Sequence, residues 1–308
     1  MNASSLSHNI VRNVLLATDL SARGDRALER AVAIATDRQA HLTVLHVFEE
    51  FDESNLTYGR RPTPSWRAPP DALQIAKLRI REGLHAELGA AVEQATILIE
   101  EGAPAEVIER VSLSQGVDLI VTGIAREGLF ASHPVILGRT VERLLRRAPA
   151  PILIVRNRPR VPYRHILVTT DFSEPSAHAL QVALSFFPEQ TLHLLHAFRV
   201  PHASLMPEQD RHVESFKQTH EVELAGFLAS MVLPEDARRR LVPLVELGEP
   251  GQLVREYVRD RGADLVVLGT HGRGAVLEAF LGSTTKSILS SLPCDALIVR
   301  APTLPIRM

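Results

Sequence analysis

The feature that most constrains the fold of this 308-residue chain is an internal repeat. Five segment pairs recur in the same order: VRNVLLATDLS and YRHILVTTDFS (11–21, 163–173), LTVLHVF and LHLLHAF (42–48, 192–198), EEGAPAEVIERV and ELGEPGQLVREY (100–111, 246–257), VDLIVTG and ADLVVLG (117–123, 263–269), and APAPILIVR and LPCDALIVR (148–156, 292–300). Their offset drifts only from 152 at Asp19 and Asp171 to 144 at Val155 and Val299. The repeat indicates a duplication and predicts two like domains, residues 1–157 and 158–308, rather than a solenoid.

Composition and charge narrow the class of protein. Apolar residues make up 45% of the chain and charged residues 23%, as in ordinary globular proteins. The net charge of −2 gives no reason to expect nucleic acid or an anionic membrane as a partner. The N-terminus lacks the pattern of a signal peptide, and no apolar run approaches the ~18 to 20 residues that span a bilayer. We therefore expect a cytoplasmic protein that binds neither nucleic acid nor membrane.

Each copy alternates short apolar runs with amphipathic helical patterns. The runs are continuous and rich in Val, Ile and Leu, which is typical of strands buried on both faces of a parallel sheet. They are NVLLAT, LTVLHV, ATILIE, DLIVTG and PILIV in the first copy, and HILVTT, TLHLLH, RLVPLVE, DLVVLG and ALIVR in the second. Helical patterns such as 26–38 and 71–91 lie between runs, whereas 49–70 has no periodicity and is predicted to be a surface loop. The fold class is therefore α/β, with two tandem doubly wound domains.

A glycine-rich segment follows the fourth strand of the second copy. Its spacing is G-x2-G-x9-G-[ST], formed by Gly269, Gly272, Gly282 and Ser283. Glycines let a backbone approach a ligand closely, and Gly282 precedes a helical pattern whose first N–H groups attract anions. Ser283 and Thr284 can add hydroxyl donors or cap that helix. The segment predicts a phosphate-binding loop; the plainer interpretation is a turn that only connects strand to helix.

Together these motifs resemble the universal stress protein family over almost the whole chain. The resemblance rests on the D-x-S after strand one, LHVF and LHAF after strand two, the glycine spacing and the closing P-C-x-x-L-I-V-R. It implies a five-stranded parallel sheet of order 3-2-1-4-5 in each domain. It also implies ATP as the cofactor, with or without Mg2+. Carried onto the second copy, it places Asp171 beside the nucleotide and Ala197 against adenine through its backbone, with ribose and phosphates held by Gly269, Gly272, Gly282, Ser283 and Thr284.

The first copy departs from this glycine pattern. Arg126 replaces the second glycine, and Arg139 takes the place of Ser283. Because an arginine side chain would fill the space that phosphate needs, we expect this copy to lack the ATP-binding mode and to act as a structural or regulatory partner. Asp19 and Val47 are retained, which leaves open a different small ligand.

Two residue sets have alternative interpretations. Asp19 and Asp171 end strand one, where a carboxylate can contact ribose or magnesium, or support a helix cap with Ser21 and Ser173. His193 and His196 have a spacing that suits a metal. On a strand, however, an offset of three places side chains on opposite faces, so no metal site is predicted.

The sequence marks no catalytic residue, and it lacks a Walker A lysine and a G-x-S-x-G elbow. The first hypothesis is a stress-response protein in which ATP bound by the second domain sets conformation or partner choice. The second is a slow Mg-dependent ATPase or phosphotransferase that uses Asp171, and the third is a nucleotide-free interaction scaffold. Because members of this family often pair through their last strands, we expect an intramolecular pseudo-dimer through PILIV and ALIVR. A further homodimer and an unidentified protein partner stay open.

Overall fold

A computed structural model of the chain describes residues 11–20, 24–48, 78, 81–83, 95–124, 138–200, 209–270 and 281–301. The strands are β1 (Asn13–Thr18), β2 (His41–Phe48), β3 (Ala95–Glu101), β4 (Leu119–Gly123), β5 (Ile152–Val155), β6 (Ile166–Thr169), β7 (Leu192–Phe198), β8 (Leu241–Leu247), β9 (Leu265–Gly269) and β10 (Asp295–Val299). The helices are α1 (Gly24–Arg38), α2 (Pro104–Ser114), α3 (Arg139–Arg147), α4 (Glu174–Phe186), α5 (Gln209–Ser230), α6 (Glu235–Arg239), α7 (Pro250–Arg261) and α8 (Ser283–Ser291). The predicted loop 49–70 lies outside the described residues.

The described strands form one continuous sheet. Its order is β3-β2-β1-β4-β5-β10-β9-β6-β7-β8, so each copy has the order 3-2-1-4-5 that the resemblance implied. Strand pairs within each copy are parallel, while β5 and β10 pair antiparallel with Leu153 opposite Leu297. The α/β class and the pairing of the two copies through their last strands are therefore confirmed.

Helices cover both faces of the sheet because the strands bury apolar side chains on both. Val14 and Leu16 of β1 belong to the apolar cluster under α1 and α4. Leu15 and Ala17 belong to the cluster under α2, α3, α7 and α8. Alternate residues of a strand thus pack into two apolar clusters, one on each face of the sheet, which explains why the strand sequences are continuously apolar.

The two copies share fine detail as well as topology. Asp118 accepts backbone N–H groups at the start of β1, and Asp264 does the same at the start of β6. Leu20 and Phe172, which follow the two strand-one aspartates, both have left-handed backbones, with φ of 58° and 64°. Retention of this uncommon conformation in both copies indicates that the turn after strand one has one fixed geometry.

One buried carboxylate ties the two copies together at the sheet junction. Asp295, at the start of β10, accepts the backbone N–H groups of Arg156 and Asn157 at 2.8 and 2.9 Å. It also accepts the hydroxyl of Tyr163 at 2.6 Å. Arg30 of α1 lies 3.7 Å from the same carboxylate and 4.0 Å from the Tyr163 ring centroid. Asp295 is 1% exposed and Arg30 6%, so this ion pair is removed from water.

Candidate functional site

The predicted site residues that the structure describes lie at the carboxyl edge of the second copy's strands. Asp171 follows β6, Ala197 is the next-to-last residue of β7, and Gly269 ends β9. Gly282 immediately precedes α8. Carboxyl ends of neighbouring parallel strands meet at one edge, which is where open α/β sheets bind ligands. Gly272 lies outside the described residues.

The turn after β6 combines a helix cap with an oriented carboxylate. Asp171 Oδ1 accepts the backbone N–H of Ser173 at 3.2 Å and its hydroxyl at 2.5 Å. Ser173 is the N-cap of α4, and its Oγ accepts the N–H of Ser176 at 3.4 Å. The capping interpretation therefore holds for Ser173, and Asp171 orients this residue by accepting both its N–H and its hydroxyl. Contact between Asp171 and a ligand stays a prediction.

The backbone of Ala197 faces the space beyond the end of β6. Leu195 is the last β7 residue in register with β6, and its carbonyl accepts the N–H of Thr170 at 2.9 Å. Alternate residues of a strand direct their backbone groups to the same side, so Ala197 points to the same side as Leu195. Its N–H and C=O are therefore directed toward the region where the Asp171 turn begins.

The N-terminus of α8 has no side-chain cap. Gly282 is the N-cap residue, and its N–H donates to the Thr270 carbonyl at 3.0 Å. Ser283 and Thr284 are exposed in the first turn, and neither supplies the side-chain cap that the sequence left open. Because the first N–H groups of a helix have no intrahelical acceptor, this end is a positively polarised donor cluster at the edge of the sheet.

A side chain at Gly269 would be crowded by the neighbouring helix. A Cβ at this position would lie 3.3 Å from the backbone carbonyl of Pro175 in the first turn of α4. Its own carbonyl accepts the hydroxyl of Thr285 at 2.9 Å, which anchors α8 to the end of β9. Close contact between β9 and α4 therefore disfavours a side chain at Gly269, and approach of a ligand to this glycine stays a prediction.

Sequence reasoning missed a stacked aromatic cluster beside this site. The rings of Phe172 and His196 stack with centroids 4.0 Å apart, and His196 Nε2 lies 3.2 Å from Nδ1 of His220 on α5. His196 Nδ1 lies 3.0 Å from the Thr170 carbonyl, which can only accept, so Nδ1 carries the proton. The repeat offered one signal, since His46 makes the same contact with Thr18 at 2.9 Å.

The neutral state of His196 leads to a testable pH dependence. Burial lowers the pKa of His196, and the neighbouring His220 lowers it further. Together they outweigh the Thr170 carbonyl and the carboxylates Glu223 and Asp171, which raise it. As pH falls below about 6.5, the unfolded chain therefore takes up a proton before the folded chain does, and stability decreases. We expect His196→Gln to lose less stability than the wild type between pH 7.5 and 5.5, as measured by urea unfolding.

The control is His41→Gln at an exposed position on β2, which should keep the wild-type pH profile. If His196→Gln and the wild type lost stability in parallel as the pH fell, a neutral buried His196 would be the wrong description.

His193 and His196 lie on opposite faces of β7, as their spacing predicted. His193 packs near the Tyr257 ring on α7, 5.7 Å between centroids, whereas His196 contacts Phe172. Within the described ranges, no group of three or more His, Cys, Asp or Glu side chains is arranged to hold a metal ion.

The first copy has a cavity at the corresponding strand edge. Its volume is about 330 Å³, and Asp19, Val47, Gly138 and Thr140 contribute to its lining. Arg139 is exposed at the start of α3 and does not line this cavity, and Arg126 lies outside the described residues. Arg139 therefore does not fill this space, and for Arg126 the expectation stays a prediction.

Comparisons with known proteins agree with this architecture. A model of the universal stress protein family matches residues 11–156 and 162–300. Universal stress protein E of Salmonella typhi is 26% identical over 251 residues, which is 72% of this chain and 76% of that protein. A universal stress protein of Thermus aquaticus is 32% identical over 149 residues, or 47% of this chain and 98% of its own length.

Solved structures show the same fold. The crystal structure of a universal stress protein from Archaeoglobus fulgidus matches with a TM-score of 0.65 and 18% identity, covering 94% of this chain and 98% of that one. A functionally unknown protein from Pseudomonas aeruginosa matches with a TM-score of 0.61, 20% identity and coverage of 96% and 95%. Separately, none of the helices in the described ranges has the length and apolar character needed to cross a membrane.

Proposed function

This chain belongs to the universal stress protein family, and on that premise we propose that it is a cytoplasmic stress-response protein whose second domain binds ATP. Nucleotide occupancy then sets the conformation of the chain or its choice of protein partner. The observation that carries the proposal is the uncapped N-terminus of α8 at Gly282, placed at the carboxyl edge of β6 and β9. Phosphate binding at such a helix end needs no additional charged side chain.

In this proposal, three parts of the second domain contact the adenine, the ribose and the phosphates separately. Adenine lies against the backbone of Ala197, and the ribose lies near Asp171 at the turn after β6. The phosphates meet the loop that begins at Gly269 and ends at Gly282, with the hydroxyls of Ser283 and Thr284 as additional donors. A magnesium ion that accompanies ATP would be neutralised by the phosphates and by Asp171, since Mg2+ prefers oxygen ligands.

Few contacts separate the proposed phosphate site from the junction between the two domains. α8 begins at the proposed phosphate site and ends at Ser291, four residues before the junction carboxylate Asp295. The intervening Leu292 carbonyl accepts a hydrogen bond from the Arg156 side chain of the first copy. A displacement of α8 on nucleotide binding is therefore transmitted directly to the contact between the domains.

Slow hydrolysis by Asp171 and Mg2+ is the weaker candidate. Asp171 Oδ1 is committed to Ser173, which suits a positioning role better than proton transfer to an attacking water. The same measurement separates the two candidates, because ADP rather than ATP would be recovered if the chain hydrolysed its ligand.

The test is to denature freshly purified protein and identify the released nucleotide by chromatography. We expect about one ATP per chain, since the first copy lacks the glycine pattern. Two per chain would show that the cavity at Asp19 also binds nucleotide. If none is released, added Mg-ATP at 100 times Kd should still add about 2.7 kcal/mol to the free energy of unfolding; no thermal shift at all would contradict nucleotide binding and leave the scaffold function.

A further inference from the structure

A second cavity lies between the two domains, away from the proposed nucleotide site. Its volume is about 570 Å³, within the roughly 300–1,000 Å³ typical of ligand pockets. α1, the end of α4 and residues 159–163 enclose it over the middle of the sheet. Residues 159–163 belong to the interdomain linker, the segment 157–163 between β5 and β6. It reaches Val11 and Leu119 at the amino ends of β1 and β4, opposite the edge where the nucleotide residues lie.

The cavity lies on the pseudo-two-fold axis of the duplication. Residues that occupy the same position in the repeat line it from both sides: Val11 and Tyr163, Ile34 and Phe186, and Leu153 and Leu297. A ligand here would contact both copies at once. Its floor and walls are mostly aliphatic side chains and aromatic rings, so water inside makes few hydrogen bonds and is readily displaced by an apolar molecule.

The charged side chains around the cavity come from the first copy and the linker. Arg30 faces Asp295, Glu29 lies 3.6 Å from Arg158, and Arg38 donates to the Phe186 carbonyl beside Asp37. The charges of these side chains are thus largely balanced by neighbouring charged or polar groups.

Arg160 is the exception at the rim. It is exposed on the linker, lines the cavity and forms no hydrogen bond or ion pair with any residue that the structure describes. One uncompensated positive charge at the mouth of an apolar cavity suits a ligand with a single negative charge. It does not suit a triphosphate, which carries several.

We propose that this interdomain cavity binds an apolar monoanion, such as a hydrophobic carboxylic acid. The apolar body packs against the sheet between α1 and α4, and the carboxylate faces Arg160. Because the ligand contacts both copies, it stabilises their junction, and its site is separate from that of ATP at the opposite edge of the sheet.

The experiment titrates the full-length protein with 8-anilinonaphthalene-1-sulfonate, an apolar monoanion whose fluorescence rises in apolar surroundings. We expect saturable binding at one site per chain, which decanoate displaces and saturating Mg-ATP does not displace. Ala33→Trp should weaken probe binding at least tenfold, because Ala33 lines the cavity yet is exposed enough to accept an indole without overpacking the core. The matched control is Ala225→Trp on the exposed side of α5, which should bind the probe as the wild type does.

A charge variant tests the orientation of the ligand and does not disturb the core. Arg160→Glu should weaken decanoate binding about three- to tenfold while decanol binding is unchanged, since the substitution replaces a modest attraction at the exposed rim by a repulsion. Non-saturable probe binding, displacement by ATP, or unchanged binding by Ala33→Trp and Arg160→Glu would each overturn the proposal. None of these outcomes depends on whether the second domain binds nucleotide.

Discussion

Replacing Asp295 by asparagine is expected to lower the free energy of unfolding by about 3–5 kcal/mol, the usual cost of leaving one member of a buried ion pair without its partner. The substitution keeps the size of the side chain but removes the charge that faces Arg30 at 3.7 Å. Asparagine keeps one acceptor oxygen, so its amide donor must face either the Tyr163 hydroxyl at the Oδ2 position or the backbone N–H groups of Arg156 and Asn157 at the Oδ1 position. Guanidinium unfolding at pH 7, followed by circular dichroism, measures the change.

Two further variants make this prediction specific. Asp260→Asn removes an exposed carboxylate whose ion-pair partner in the described part of the chain is the neighbouring Arg259, and it should change stability by less than about 0.5 kcal/mol. Adding Arg30→Met to Asp295→Asn removes the unpaired buried cation, so the double variant should be more stable than Asp295→Asn alone. A loss below about 1 kcal/mol for Asp295→Asn would show that the junction is held by strand pairing and apolar contacts instead.

The sequence predicted the fold well because the information is local and occurs twice. Continuous apolar runs identify doubly buried strands, and their recurrence in one order identifies the domains. Strand order within a copy came from the family resemblance and agrees with the structure. The pairing of the last strands, PILIV with ALIVR, followed from the same source and could not be read from apolar patterning, since every strand of the sheet is apolar. The register that places Leu153 opposite Leu297 came only from the structure.

The junction network could not be predicted, because its members are far apart in the chain. Asp295 occupies the position of Pro151 in the first copy, so the repeat itself suggested only that the site is variable. Its partner Arg30 lies 265 positions earlier on α1, within an amphipathic pattern that places arginine equally well in solvent. The burial of both charges is evident only in the structure, where the strands of the two copies form one continuous sheet.

At the candidate site, too, the sequence predicted some features and not others. The glycine spacing predicted a helix N-terminus after Gly282, which α8 confirms. By contrast, the stack of Phe172 on His196 depends on a left-handed backbone at Phe172 and on the position of His220 on α5. Neither follows from periodicity. A bulky residue with positive φ is uncommon, and the position of α5 is determined by tertiary packing rather than by its local sequence.

Gly282→Asp is expected to weaken ATP binding at least about 100-fold while leaving the fold intact. Gly282 has φ −55° and ψ 141°, which any residue can adopt, and aspartate is a favoured N-cap, so α8 should be kept or slightly stabilised. The new carboxylate occupies the donor cluster that the phosphates need and repels them. Two unit charges 4 Å apart interact by about 4 kcal/mol at an effective dielectric of 20, enough for a loss of that size. Isothermal titration with Mg-ATP measures it.

The duplication supplies the control for this experiment. Gly138 is the N-cap of α3 with φ −64° and ψ 151°, nearly the same geometry in the first copy. Gly138→Asp should leave ATP binding unchanged, because the first copy is expected not to hold the phosphates. A loss in Gly138→Asp but not in Gly282→Asp would transfer the nucleotide site to the first domain.

Adenosine separates an electrostatic effect from a structural one. It carries no phosphate, so Gly282→Asp should bind adenosine about as tightly as the wild type does, through Ala197 and Asp171. The neutral Gly282→Asn should fall between the wild type and Gly282→Asp for ATP, since it caps α8 without adding charge. If adenosine binding were lost together with ATP binding, the substitution would have disturbed the loop itself. If ATP binding survived in Gly282→Asp, the phosphates could not lie at the N-terminus of α8, because no other arrangement at that helix end tolerates an added negative charge.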